Sequence, residues 1–313
     1  MSHKPFHQKV ETPDKEAQAP DPPCQTIIVH GNCQAGAIAN ILKKTRVVRP
    51  LFRVIFFANL ETPAKANAPL QPEELANCRI FLRQHLPTPF PYSDQLPSDC
   101  IKVHFPSLDF HLLWPFGCAN AYNKPSPPQV PWGAFPYGDR IILECVDKGM
   151  KPDEILDYYL NGWQQYRPNL KRLIELEESR QAERDSHCEV KMGGWVMEHF
   201  RRERLHWTVN HPTTLALREL LQRLFHTLAT MEPALERGDI DETLRVYFPA
   251  PRGPLGVAVT PIHPRVAEAL GLQWYQRDAL HPFLKRTYSY EEYFREMIGY
   301  CVSQRAAAMA AVG

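Results

Sequence analysis

The sequence predicts an α/β fold: a mainly parallel sheet flanked by helices, with a largely helical C-terminal half. Short apolar runs recur between residues 26 and 104, separated by helix-like stretches, as in βαβ units. The first run is apolar without alternation, which is the pattern of a strand covered on both faces. From about residue 140 onward the runs give way to amphipathic and charge-rich segments.

Residues 1–24 mix charge and proline and read as a disordered lead-in without the apolar region of a secretory signal. Thr26–His30 is the first strand, and helical spacing of Ala37, Ile38, Ile41 and Leu42 follows from Gln34. Arg53–Ala58 is the second strand. Pro72 opens a short helix at a position where proline is tolerated. Arg79–Leu82, ending in Arg83-Gln84-His85, is the third strand, and Cys100–His104 the fourth. Residues 105–138 are rich in Pro, Phe, Trp and Tyr without periodicity, which suits a cover over the sheet, a functional loop, or both. Helices are expected at Arg140–Lys148, from Lys151 through Tyr166, at Leu170–Arg184 and at Trp195–Arg204. Leu205–Val209 is a short apolar run, and helices follow at Leu215–Thr227 and Tyr290–Met309, with a loop over Pro254–Pro264. The organisation is a sheet domain over 25–140 and a helical region over 141–313, the latter packed on the same core.

Composition excludes several classes. The 36 Lys and Arg nearly balance the 35 Asp and Glu, so no basic excess points to nucleic acid. No apolar run approaches the roughly 20 residues of a membrane span. The eight cysteines show neither CxxC nor zinc spacing, so no metal is expected, and reduced thiols in a cytoplasmic protein are. There is no Walker A loop and no GxGxxG.

The stretch TIIVHGNCQAG, residues 26–36, carries the chemistry. It places Cys33 where a first strand turns into a helix, outside the carboxyl edge of the sheet where open α/β folds bind ligands. A helix N-terminus stabilises a thiolate and can hold an oxyanion, and Gly31 permits the sharp turn. The bland alternative is a buried cysteine ending a strand. The nucleophile needs a base, and His211 in Asn210-His211-Pro212-Thr213 leads, ahead of His263 and His85. Its alternative is a packing histidine beside a helix cap. For the orienting group Glu198, Glu203 and Asn210 are near in sequence. Gln84, at the end of the third strand, reaches the same rim and offers a side-chain amide to an oxyanion, or else is a polar residue leaving the core. Arg201, Arg202 and Arg204 precede His211 and suit a phosphorylated ligand. Lys43, Lys44 and Arg46 read better as a solvated face.

In this order, Gly31-Asn32-Cys33-Gln34, Gln84, the run from Phe105 to Phe110, Tyr137-Gly138-Asp139, Thr208 to Thr213, Pro261 to Pro264 and Leu272-Gln273-Trp274 resemble the WcbI-type polysaccharide biosynthesis family. The likeness spans residues 25–280. It implies a coenzyme A-dependent O-acetyltransferase of capsular polysaccharide biosynthesis on an SGNH- or flavodoxin-like core. Its implied substrates are acetyl-CoA and a sugar, nucleotide-sugar or polysaccharide acceptor. Cys33 would take the nucleophile position and His211 that of the base, with Gln84 beside them. Gly31, Asn32, Gln34, His85, Asn210, Arg201 and Arg204 would contact coenzyme A. No aspartate stands just before His211, a departure from the SGNH pattern. Two other readings compete: an SGNH-like cysteine esterase or deacetylase, and a non-catalytic scaffold of capsule assembly.

Overall fold

The computed structural model describes residues 25–60, 67–125, 132–236, 240–248, 255–283 and 286–311. The expected lead-in therefore lies outside the described residues. Four parallel strands form the main sheet in the order β2-β1-β3-β4: β1 Gln25–Gly31, β2 Phe52–Ala58, β3 Cys78–His85 and β4 Ile101–Pro106. β1 is central, and Ile27, Ile28 and Val29 are fully buried, which is why its run is apolar throughout. The chain passes from β1 to β2 on one side, then returns across β1 to reach β3 and β4 on the other. Connections leaving β1 and β3 thus diverge and open a crevice at their carboxyl ends.

Helix α1, Cys33–Leu42, follows β1 directly and buries the predicted stripe Ala37, Ile38, Ile41 and Leu42. Asn32 caps it by accepting from the Gln34 N–H. The short helix α2, Pro72–Ala76, precedes β3, with proline in its first turn. Much of the aromatic tract covers the sheet: Phe105, Leu108, Phe110 and Leu112 are buried in the same core as β1 and α1. It also forms β5, Gly117–Ala119, which pairs with β6, Tyr137–Asp139. Residues 126–131 of this tract lie outside the described residues.

Helices α3 Arg140–Asp147, α4 Pro152–Asn161, α5 Trp163–Tyr166, α6 Leu170–Ser186 and α7 Gly193–His199 follow. The expected single helix from Lys151 to Tyr166 is divided at Gly162, where a Cβ would sit 2.5 Å from the Tyr158 carbonyl oxygen. The helix expected to reach Arg204 ends at His199 instead. The run after it becomes β7, His206–Thr208, paired with β8, His211–Pro212. Helix α8, Thr214–Met231, is capped by Thr213 and packs Leu217, Leu220, Leu221 and Leu224 into the sheet's core.

Besides β5, β6 and β8, the unanticipated elements include α9 Ile240–Tyr247, α10 Pro264–Leu270, and the hairpin of β9 His281–Phe283 and β10 Arg286–Tyr288. Each is eight residues or shorter, too short for periodicity to stand out. The last helix, α11 Tyr290–Ala310, packs with α3 and α4 in a second core around Tyr159, Tyr293 and Ile298. No described helix is long and apolar enough to cross a membrane.

Candidate functional site

The junction of β1 and α1 is built around two buried glutamines. Gln34 and Gln84 are both inaccessible to solvent. The Gln34 amide uses all its hydrogen-bonding positions. Its Nε2 donates to the Asn210 carbonyl at 2.8 Å and to the Leu108 carbonyl at 3.4 Å. Its Oε1 accepts from the Leu108 N–H at 2.9 Å and from Gln84 Nε2 at 3.1 Å. Gln84 Oε1 in turn accepts the Asn32 N–H at 2.9 Å. One network therefore joins the end of β1, the end of β3, the loop after β4 and the turn that carries His211. Gly31 completes it: a Cβ there would stand 2.5 Å from Gln84 Oε1 and 2.7 Å from the Ala35 Cβ.

Cys33 is exposed at the first position of α1 and is not in a disulfide. Tyr137 of β6 lies near enough for the two side chains to interact electrostatically. Burial, opposed by Thr208 and assisted by Cys33, pushes the Tyr137 phenol up to about 12, so it stays protonated at neutral pH. Its hydroxyl donates to Asn210 Oδ1 at 2.8 Å, and Thr208 Oγ1 donates to the same oxygen at 3.2 Å. The Tyr137 ring meets the His211 imidazole edge-on, with centroids 6.2 Å apart.

Burial lowers the pKa of His211, and the Asp109 carboxylate opposes that shift. The imidazole is thus neutral near pH 7, the form in which it accepts a proton. Its buried Nδ1 has no hydrogen-bond partner. Asp109 is held by Ser107 Oγ at 2.8 Å and lies 3.9 Å from the Arg184 guanidinium. It stands in the loop after β4, about a hundred residues from His211. The acid for this imidazole is therefore absent from its sequence neighbourhood. Of the nearby acids, Glu198 pairs with Arg202 at the surface and Glu203 is exposed. The Asn210 side-chain oxygen is taken up by Tyr137 and Thr208.

The remaining candidates have other neighbours. His85 stacks on His187 with centroids 4.7 Å apart. His263 caps α10 by accepting the Arg265 N–H, stacks on Trp163, and is pushed down to about 4 by burial. Arg201 donates to the Leu270 carbonyl, and Arg204 sits over the rings of Trp207 and Trp274. Gln84 spends its amide within the network described above. Two residues escaped sequence reasoning: Asp109 and Tyr137, each inside a quoted motif but without local spacing that ties it to Cys33. Among the described residues, no group of three or more His, Cys, Asp or Glu could hold a metal ion.

A solved structure described as WcbI, a novel polysaccharide biosynthesis enzyme, superposes with a TM-score of 0.66 at 15% identity. The match covers 90% of this chain and 92% of that one, and the description specifies a native form without a disulfide bond between coenzyme A and a cysteine of that protein. Curated proteins yield no match. The sequence model of the polysaccharide biosynthesis enzyme WcbI matches residues 26–233, well over half the chain, and the protein belongs to that family of enzymes.

Proposed function

We propose that this protein is a coenzyme A-dependent O-acetyltransferase acting on a sugar in capsular polysaccharide biosynthesis, with Cys33 as nucleophile and His211 as base. The observation that carries the reading is the exposed Cys33 thiol at the start of α1, set beside Tyr137 and tied through Gln34 to the His211 turn. The solved WcbI structure supports it, because its description names coenzyme A together with a cysteine of that protein, in a form without a disulfide bond between them.

In the proposed reaction the Cys33 thiolate attacks the thioester carbonyl of acetyl-CoA. The bond from the carbonyl carbon to sulfur breaks, and coenzyme A leaves as a thiolate that takes up a proton. A sugar hydroxyl then attacks acetyl-Cys33, His211 accepts its proton, and the Cys33 thiolate departs. The positive end of α1 favours that thiolate in both steps. Tyr137 donates to Asn210 and fixes the turn that presents His211. Asp109 favours the imidazolium that forms there. Arg201 and Arg204 flank the same turn as candidate contacts for coenzyme A phosphates, as does His85 at the rim. Cytoplasmic location and a sugar or sugar-nucleotide acceptor belong to this proposal.

Intact-mass spectrometry after incubation with acetyl-CoA tests it. One added acetyl group, absent in Cys33→Ala, is the expected result. Full transfer activity in Cys33→Ala would overturn the covalent route. Absence of any thermal shift with free coenzyme A would favour an esterase.

A further inference from the structure

The two faces of the main sheet belong to separate cores. Ile27, Val29, Ile80, Leu82, Val103 and Phe105 are buried in the core shared with α1 and α8. Ile28, Phe57 and Phe81 are buried in a smaller core on the other face, with Leu75 and Phe90. Alternation along β4 is regular, and it sends Cys100, the residue before Ile101, to the smaller core. Along β3 it is not. Strict alternation from Ile80 would turn Cys78 toward the larger core, yet Cys78 is buried in the smaller one. The cause is a bulge. Thr26 of β1 pairs with Cys78 and Ile27 with Ile80, so Arg79 is an extra residue in the ladder. The bulge turns the Cys78 side chain over, and its Sγ comes to 3.7 Å from Cys100 Sγ.

The two thiols differ in reactivity. The hydrogen bond between them lowers the pKa of Cys100 and raises that of Cys78. Burial opposes the first shift and adds to the second, while Lys102 and Arg79 favour the Cys100 thiolate and Asp99 disfavours it. Cys100 is also the more open of the two, at 8% exposure against 2%. It is therefore the nucleophile of the pair, and Cys78 is the thiol placed to meet the product. Neighbouring strands about 4.8 Å apart set the backbones within the roughly 4.4–6.8 Å that a disulfide spans.

We propose that Cys78 and Cys100 form a reversible oxidation site, closed by hydrogen peroxide into a disulfide that fastens the amino ends of β3 and β4. Nothing in this step involves coenzyme A or Cys33. The Cys100 thiolate attacks one peroxide oxygen, the O–O bond breaks, and the other oxygen takes up a proton and leaves as water. Cys100 is thereby oxidised to a sulfenic acid and the peroxide is reduced. The Cys78 sulfur attacks the Cys100 sulfur, the S–O bond breaks, and a second water leaves with the Cys78 proton. Two thiols and one peroxide thus give one disulfide and two waters.

Peptide mapping of the full chain after treatment with hydrogen peroxide tests this. The protein is then unfolded, alkylated with iodoacetamide and digested. The peptides holding Cys78 and Cys100 should appear joined, lighter by two hydrogens, and dithiothreitol should return both to alkylatable thiols. The bridged protein should melt higher by about 5 °C, because the bridge restrains the unfolded chain between residues 78 and 100. Alkylation of both thiols at a dose that oxidises the exposed Cys33 and Cys118 would overturn the inference and leave only a packing contact. So would a bridge from Cys100 to any other cysteine, or a bridge that lowers the melting temperature. Cys78→Ser removes the second thiol and should leave Cys100 as a sulfenic acid that dimedone traps. Equal dimedone labelling of Cys100 in the unsubstituted chain would also count against the pair.

Discussion

The two sides of the candidate site handle polar groups in opposite ways. At the β1–α1 junction Gln34 is buried and fully paired, and Gln84 and the Asn32 N–H are joined to the same network. Across Tyr137, the buried His211 Nδ1 has no hydrogen-bond partner, and the buried hydroxyls of Thr260 and Tyr293 interact with each other. A satisfied network rigidifies the backbone that presents Cys33, whereas His211 Nδ1 keeps its hydrogen-bonding capacity unspent. The contrast separates residues that hold the site from residues that face its contents.

Substitutions on the two sides should therefore differ in kind. The largest stability loss is expected for Gln34→Leu. It strands the Gln84 amide, the Leu108 N–H and the Asn210 carbonyl, at about 1–3 kcal/mol for each buried unpaired group. Urea denaturation should show a loss of several kcal/mol. A loss below about 1 kcal/mol would mean that the network is not the structural tie described here.

His211→Gln should lower kcat by about 10²- to 10⁴-fold, the usual contribution of a general base, with the urea midpoint nearly unchanged. The pH profile sharpens this point. Because burial holds the His211 pKa below its ordinary value, the base stays unprotonated as pH falls through 6.5. The acid limb of kcat/KM should thus lie below 6.5. A midpoint above 6.5 would show an imidazole stabilised in its charged form. Asp109→Asn removes the carboxylate that favours the charged form and should move that midpoint lower still.

Gly31→Ala comes next, at about 1–3 kcal/mol, because its Cβ meets Gln84 and Ala35 at 2.5–2.7 Å. The smallest effect is expected for Thr260→Val. It replaces a hydroxyl that interacts only weakly with the Tyr293 hydroxyl by a methyl of the same shape and should change stability by no more than about 1 kcal/mol. A larger loss in thermal unfolding would show that the Thr260–Tyr293 pair is a structural tie and would erase the contrast.

The sheet was legible because each of its strands is an apolar run of the right length, and α1 because its stripe has helical spacing. The position of Cys33 followed from those two elements alone. The short pieces around His263 and the hairpin after His281 were not legible, since a three-residue strand has no period to detect. Gln84 illustrates the other limit. Its place on the rim was readable from the end of β3, but its partners were not. The fact that its amide reaches Gln34 and Asn32 depends on the spacing of two strands that are far apart in sequence.

By itself, then, the sequence determined the strand–turn–helix that delivers a thiol to a helix N-terminus, because propensity, glycine and capping act over a few residues. Only the tertiary structure decided what surrounds that thiol. Asp109, Tyr137, Asn210 and His211 gather there because loops following β4, β5 and β7 converge on one edge of the sheet. That convergence is set by the packing of the sheet and its covering helices, not by any local spacing.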